Sequence, residues 1–212
     1  MAKLKSSLTN MLLSLTLISL VAAGLLAGVY SLTKEPIDIA KAEKQAAAKI
    51  AVLPAMDGIV ISNEPEMVDG MTIYKAYVNN ELIGAAVEAR EIGFGGVFKM
   101  MVGFDKEGTL TGYQVLEHQE TPGLGAKMDE WFRTDKNHQN VIGLNPGKCN
   151  FTVSKDGGEV DAITAATITS RAFLMAITKA YNAYLTDKLE ATTGATVMVE
   201  ETVVEIIETQ ED

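Results

Sequence analysis

The sequence predicts an α+β fold: a mostly antiparallel sheet with flanking helices, behind one N-terminal transmembrane helix. Three observations lead there. A stretch from Ser6 to Thr33 holds no charged residue. Four short segments rich in β-branched and aromatic residues follow between Met71 and His118, separated by turn-forming residues. A long stretch with apolar residues at helical spacing then runs from Arg171 to Leu189.

The most apolar part of the first stretch, Met11 to Tyr30, has about 20 residues, the length a helix needs to cross a bilayer's hydrocarbon core. A cleaved signal peptide is the alternative, with small residues at Ala22, Ala23 and Ala27, but its apolar region is usually only ~7–15 residues long. Lys3 and Lys5 precede the span, so the positive-inside rule predicts a cytoplasmic N-terminus and an extracytoplasmic bulk, single-pass in the cell membrane. Gly24 and Gly28 form a small-xxx-small face able to pack on another membrane helix.

Pro36 opens an Ala- and Lys-rich run that reads as a helix leading away from the membrane. Strands are expected at 71–78, 82–90, 97–104 and 110–118. Asn79-Asn80 and Asp105–Gly108 sit between pairs of them as hairpin connections. A further strand is expected at 150–155, before the turn Asp156-Gly157-Gly158, and a helix at 171–189 packs on the sheet. The organisation is then 1–33 cytoplasmic stub and transmembrane helix, 34–56 helical linker, 57–189 the domain, and 190–212 an acidic tail.

Charge follows the same division. The formal net charge of −10 comes from 28 acids and 18 bases, and the last 23 residues hold seven of those acids with no Lys or Arg. Without them 21 acids face 18 bases, so the rest of the chain carries only −3. The tail reads as a solvated extension, with strand or coil pairing against a partner as the other option. An acidic chain lacks the basic face that nucleic-acid binding requires. The single Cys149 excludes an intrachain disulfide and any Cys-rich metal centre. No HExxH, Gly-x-Ser-x-Gly, Walker or complete dinucleotide motif is present; Gly93-Phe94-Gly95-Gly96 lacks the third glycine of that fingerprint.

Two stretches are the candidates for chemistry. In His118-Gln119-Glu120-Thr121-Pro122-Gly123-Leu124-Gly125, Pro-Gly forces a tight turn and Gly125 allows close approach of a neighbour. Composition alone reads this as an ordinary turn; placed after a strand it also presents Glu120 and Thr121. In Asp161 to Ser170, three Thr and a Ser precede the long helix. Capping needs one such hydroxyl, supplied by Thr169 or Ser170. A hydroxyl-rich helix start also suits a phosphate, free or covalently held, because backbone N–H groups and the macrodipole favour an anion there.

Together these residues resemble the FMN-binding domain family. An Asp-x-x-(Ser/Thr)-Gly-Ala-(Thr/Ser) element marks proteins carrying FMN as a phosphoester on the last residue; here it reads Asp161, Thr164, Ala165, Ala166, Thr167. The ETPGLG stretch and the preceding GFGG are similar to the same domain. With the anchor, the similarity over roughly Met71 to Leu185 is to the G subunit of the Rnf ion-translocating electron-transport complex. The C subunit of the sodium-pumping NADH:quinone reductase shares the domain, and this chain is short for that relative. A cofactor-free, membrane-tethered interaction module is the reading from another class.

The resemblance implies covalent FMN on Thr167, transferred from FAD by a flavin transferase that recognises Asp161 and Thr164. It implies Ala165, Ala166, Ile168 and Thr169 in the attachment loop. Glu120, Thr121, Leu124 and Gly125 are expected near the flavin ring, with Thr169 or Ser170 assisting the phosphate. It further implies partnership with the other membrane and peripheral subunits of the complex, and electron exchange between ferredoxin and NAD coupled to Na⁺ or H⁺ translocation. One departure stands out: the family's Gly is Ala165 here, so a left-handed backbone at that position becomes costly. Thr192-Thr193-Gly194-Ala195-Thr196 keeps the Gly but has no apolar helix after it. Thr167 is therefore the expected attachment residue.

Overall fold

The computed structural model describes residues 7–62 and 64–193, the side chains of 189–193 apart. The acidic tail beyond Thr193, Thr196 in it, and Lys3 and Lys5 lie outside the described residues. Helix α1 (Leu8–Ala51) runs through Pro36 without interruption, so the helix expected to start at Pro36 is not a separate element. The described chain divides into one unit up to Lys44 and a second from Gln45 onward.

The first unit is the body of α1. Its most apolar 18-residue window has a mean hydropathy of 2.3 with none of its surface buried, which is consistent with a single-pass membrane anchor. Three of its hydroxyls bond within the helix: Ser14 donates to the Met11 carbonyl at 3.0 Å, Thr16 to the Leu12 carbonyl at 2.8 Å and Thr33 to the Val29 carbonyl at 2.9 Å. An apolar surround demands that economy, since an unpaired polar group there has no water to bind.

The second unit is built on a six-stranded antiparallel sheet. Its strands are β1 (Val60–Ile61), β2 (Glu66–Val68), β3 (Met71–Val78), β4 (Glu81–Ile92), β5 (Val97–Asp105) and β6 (Leu110–Glu117). The order is β1-β3-β4-β5-β6, with β2 also paired to β3. The four central strands match the expected segments closely, whereas β1 and β2, two and three residues long, carry too little pattern to be read from sequence. Asn79 and Asn80 both take positive φ, 50° and 70°, closing the two-residue hairpin between β3 and β4.

Helix α3 (Thr167–Thr193) covers one face of the sheet and begins four residues before the expected start. That face supplies Ile73, Val87, Met100, Val102 and Phe104, which pack with Phe173, Leu174, Ile177 and Tyr184 of the helix. Phe104 stacks on Tyr184 at 5.8 Å, and Phe173 stacks on Phe132 at 4.3 Å. The opposite face carries a smaller cluster of Tyr74, Ala76, Ala86 and Met101 with Ala48, Val52 and Leu53 from the end of α1 and just beyond. The Thr111 hydroxyl ties this cover down by donating to the Val52 carbonyl at 2.6 Å.

Between β6 and α3 the chain is mostly irregular, with one short α-helix, α2 (Met128–Trp131), entered from a 3-10 turn at Gly125–Lys127. The strand expected at 150–155 does not form. Val153 makes a single parallel bridge to Val160, and Ser154–Asp156 turn as a 3-10 helix closed by Gly157 in the left-handed region. The apolar residues of that segment, Phe151 and Val153, are buried as single anchors of a loop rather than as one side of a strand.

Candidate functional site

The start of α3 and the ETPGLG loop meet at one concave site. The chain leaves Ile163 through a turn in which the Ala166 N–H donates to the Ile163 carbonyl at 3.0 Å. Ala165 occupies the third position of that turn with φ of 61°. A β-turn with positive φ there is one that Gly ordinarily fills. The loop thus requires the left-handed conformation that the Gly-to-Ala departure makes costly. The helix begins directly after it, with Thr167 as first residue, and the opening N–H groups of a helix have no acceptor within it.

The ETPGLG loop turns as its Pro-Gly predicts. The Leu124 N–H donates to the Thr121 carbonyl at 3.1 Å, and Gly123 takes φ of 77°. Glu120 is only 5% exposed and is the joint between segments. One carboxylate oxygen accepts the Gly95 N–H of the GFGG loop at 3.0 Å; the other accepts the Thr169 hydroxyl at 2.7 Å. A carboxylate is acceptable at such burial because both its oxygens are hydrogen-bonded. Gly125 lies against this joint: a Cβ there would stand 2.3 Å from Glu120 Oε2 and 2.8 Å from Thr169 Oγ1.

These segments enclose a cavity of about 400 Å³. Nine of the twelve residues expected from sequence line it: Glu120, Thr121, Leu124 and Gly125 from one segment, and Ala165, Ala166, Thr167, Ile168 and Thr169 from the other. Phe94 of the GFGG loop also lines it, an aromatic 70% exposed. The sequence marks that loop by its glycines alone; an aromatic between glycines, with no core position to fill, is the signal that points to Phe94. The cavity's mainly apolar walls with a few hydroxyls and one carboxylate are of the kind that holds a flat organic cofactor.

Asp161 and Thr164 lie outside the cavity lining. Thr164 is exposed at the turn. Asp161 faces a separate depression with His138 and Ser154. The Ser154 hydroxyl donates to Asp161 Oδ1 at 2.6 Å and the His138 N–H to Oδ2 at 3.3 Å. The Ser154 bond, with further help from His138, holds the Asp161 carboxyl below the usual range. The Asp161 main chain is anchored as well, its carbonyl accepting the Trp131 indole N–H at 2.9 Å. Ser170 is turned into the core, accepting the Ile163 N–H at 2.9 Å and donating to the Ala166 carbonyl at 3.0 Å. Its hydroxyl braces the turn and is not presented to the cavity. Cys149 is half-buried with its thiol against the Asn145 carbonyl at 3.3 Å; burial, then the Glu159 charge, pushes the thiol up, the reverse of an activated nucleophile.

The 3-10 turn at Ser154–Asp156 reaches the same helix start, which no sequence signal indicates. Lys155 Nζ donates to Thr167 Oγ1 at 3.2 Å, and Asp156 receives a bidentate pair from Arg171, both contacts 2.7 Å.

Residues 93–182 match the family model of the FMN-binding domain. The G subunit of the ion-translocating oxidoreductase complex of Aliivibrio fischeri is 34% identical over 195 residues, covering 85% of this chain and 92% of the relative. The protein of the same name in Methanosarcina acetivorans is 32% identical over 176 residues, covering 80% and 90%. A crystal structure of the C subunit of the Na⁺-translocating NADH-quinone reductase of Parabacteroides distasonis aligns with a TM-score of 0.45 at 18% identity, over 73% of this chain and 94% of that one. The extent and identity of the first two matches place the chain in a family: it belongs to the G subunits of ion-translocating oxidoreductase complexes.

Proposed function

We propose that this chain is a membrane-anchored flavoprotein subunit that relays electrons through an FMN held covalently on Thr167. The observation that carries the reading is the convergence of both stretches on one cavity, with Thr167 in its lining and at the first position of α3. A phosphodiester on that hydroxyl keeps one negative charge beside the positive end of the helix dipole. The residues suit the group: the cavity is large enough for a drug-sized ring system, and the Glu120 carboxylate in its lining is hydrogen-bonded on both oxygens.

FMN in this site supplies reversible electron uptake and release. The chain's own residues bind and orient it. Leu124, Ile168 and Phe94 offer apolar surface to the ring, and Ile168 is 53% exposed at the rim. Glu120 locks the GFGG loop to α3, so the two walls keep a fixed separation. Covalent tethering prevents loss of the cofactor, which suits a relay better than an enzyme that exchanges its cofactor. The redox context we infer is an ion-translocating ferredoxin:NAD oxidoreductase complex, with the other subunits as partners and a flavin transferase acting during maturation. The apolar α1 and the lysines before it support a single-pass anchor with the domain outside the cytoplasm.

The test is direct. Full-length protein from cells with an active flavin transferase is denatured in SDS, and its gel band is examined for flavin fluorescence. The wild-type band is expected to fluoresce, Thr167→Val to be dark, and Thr196→Val to fluoresce as wild type. A dark wild-type band would refute the flavoprotein reading, and a dark Thr196→Val band with a bright Thr167→Val band would move the attachment to the tail.

A further inference from the structure

The geometry points to Lys155 as the phosphate-binding residue of the attachment site, held at Thr167 by a turn whose three residues are each tied to the segment that carries the hydroxyl. This rests on the assignment of FMN to Thr167. Among the described residues, the Lys155 ammonium has the Thr167 hydroxyl as its hydrogen-bond partner and forms no ion pair with a carboxylate. A lysine cation bonded only to a neutral hydroxyl, at a helix start already favourable to anions, is placed to take a negative group on that oxygen.

Its position is enforced rather than incidental. Ser154, the first residue of the turn, donates to Asp161 Oδ1 at 2.6 Å. Asp156, the last, is clamped by Arg171 through two contacts of 2.7 Å. Arg171 lies four residues after Thr167, so the clamp grips the helix face one turn below the hydroxyl. Lys155 sits between these two ties. The arrangement also assigns work to Asp161, which lies away from the cavity: through Ser154 it anchors the turn that carries the cation. Arg171 is occupied by Asp156, whereas Lys155 has no carboxylate ion pair among the described residues.

In the transfer, Thr167 Oγ forms a bond to the phosphorus of the FMN half of FAD. The pyrophosphate P–O bond breaks, AMP departs with that oxygen, and the hydroxyl proton passes to a base on the transferase or to water. No redox change occurs. Before transfer the Lys155 ammonium bonds the hydroxyl oxygen; as the P–O bond forms, it offers its protons to the non-bridging oxygens, and afterwards it offsets the single charge of the phosphodiester.

The experiment follows flavin loading of the full chain by purified flavin transferase with FAD, as in-gel fluorescence against time. Lys155→Met is expected to load at least tenfold more slowly than wild type, and Lys155→Arg to recover most of the rate. Added salt is expected to slow wild type more than Lys155→Met, because a cation–phosphate attraction is screened. Thermal midpoints of the unloaded variants, expected within about 2 °C of wild type for an exposed lysine, separate a folding defect from a loading defect. Loading of Lys155→Met at the wild-type rate, or Lys155→Arg as slow as Lys155→Met, would overturn the inference while leaving the flavin assignment intact. Failure of wild type to load would instead remove the flavin assignment on which it rests.

Discussion

Replacing Ala165 by Gly should stabilise this protein, although it removes a methyl group and adds backbone freedom. Ala165 holds φ of 61° in the turn that opens onto Thr167. A left-handed backbone costs an L-residue with a Cβ roughly 1–2 kcal/mol, and Gly escapes that cost. Against it stands the larger entropy of Gly in the unfolded chain, about 0.4–1 kcal/mol. The residue is exposed, so the lost methyl forfeits little packing. The net is a gain of roughly 0.5–1 kcal/mol, or a rise of about 1–4 °C in midpoint for a domain of this size. The chain's one Trp is a suitable reporter, because the Trp131 indole is hydrogen-bonded to the Asp161 carbonyl in the segment that leads into the turn. Thermal unfolding of the full chain in detergent, read by Trp fluorescence, should show Ala165→Gly melting above wild type. Ala165→Val, which puts a β-branched side chain at positive φ, should melt below it. A lower midpoint for Ala165→Gly, or Ala165→Val melting at or above wild type, would refute the strain argument.

Two other outcomes follow from the same geometry. Gly125→Ala should destabilise by about 1–3 kcal/mol, since its Cβ meets the Glu120 carboxylate and Thr169 hydroxyl well inside contact distance; urea unfolding midpoints check it. Asp187 near the end of α3 is buried beside Lys75, at 3.2 Å, and the Glu66 carboxyl. Burial, then Glu66, pushes it up to about 6 from an ordinary value of 3.8. With Asp187 ionised its Oδ2 accepts no hydrogen bond among the described residues, and a proton there lets it bond Glu66. The folded state therefore holds a proton that the unfolded state has released between those values, and this contribution is present below the ordinary value and lost as pH rises through about 6. Asp187→Asn keeps a neutral group there, so its stability relative to wild type should climb between pH 4 and 7 in urea titrations, and a flat difference would count against a proton on Asp187.

Much of the fold was legible because its signals are local. The charge-free run of Ser6–Thr33 is a length criterion, and the strands from Met71 to Glu117 were bounded by turn residues whose φ preferences act within two residues. The segment at 150–155 shows where this fails. Phe151 and Val153 alternate with polar residues as in a strand, yet they are buried as separate plugs, and no neighbouring strand among the described residues is in place to pair with them. Periodicity reports which side chains are buried; it does not report whether a second strand lies within hydrogen-bonding distance.

The candidate site divides the same way. Resemblance to the FMN-binding domain marked Glu120 to Gly125 and Asp161 to Thr169, with turn and helix-start chemistry written along the chain beside it; composition alone reads the first stretch as an ordinary turn. Only the tertiary structure decided that these stretches face each other. The Thr169 hydroxyl crosses 49 positions to reach Glu120, whereas Ser170, the next residue, points into the core because successive helical side chains are turned about 100° apart. It also decided that Ala165 bears a left-handed backbone, and that Lys155, unmarked by any motif, ends at Thr167. Those outcomes depend on which surfaces the sheet and α3 leave for the loops between them, and that is a property of the packed molecule.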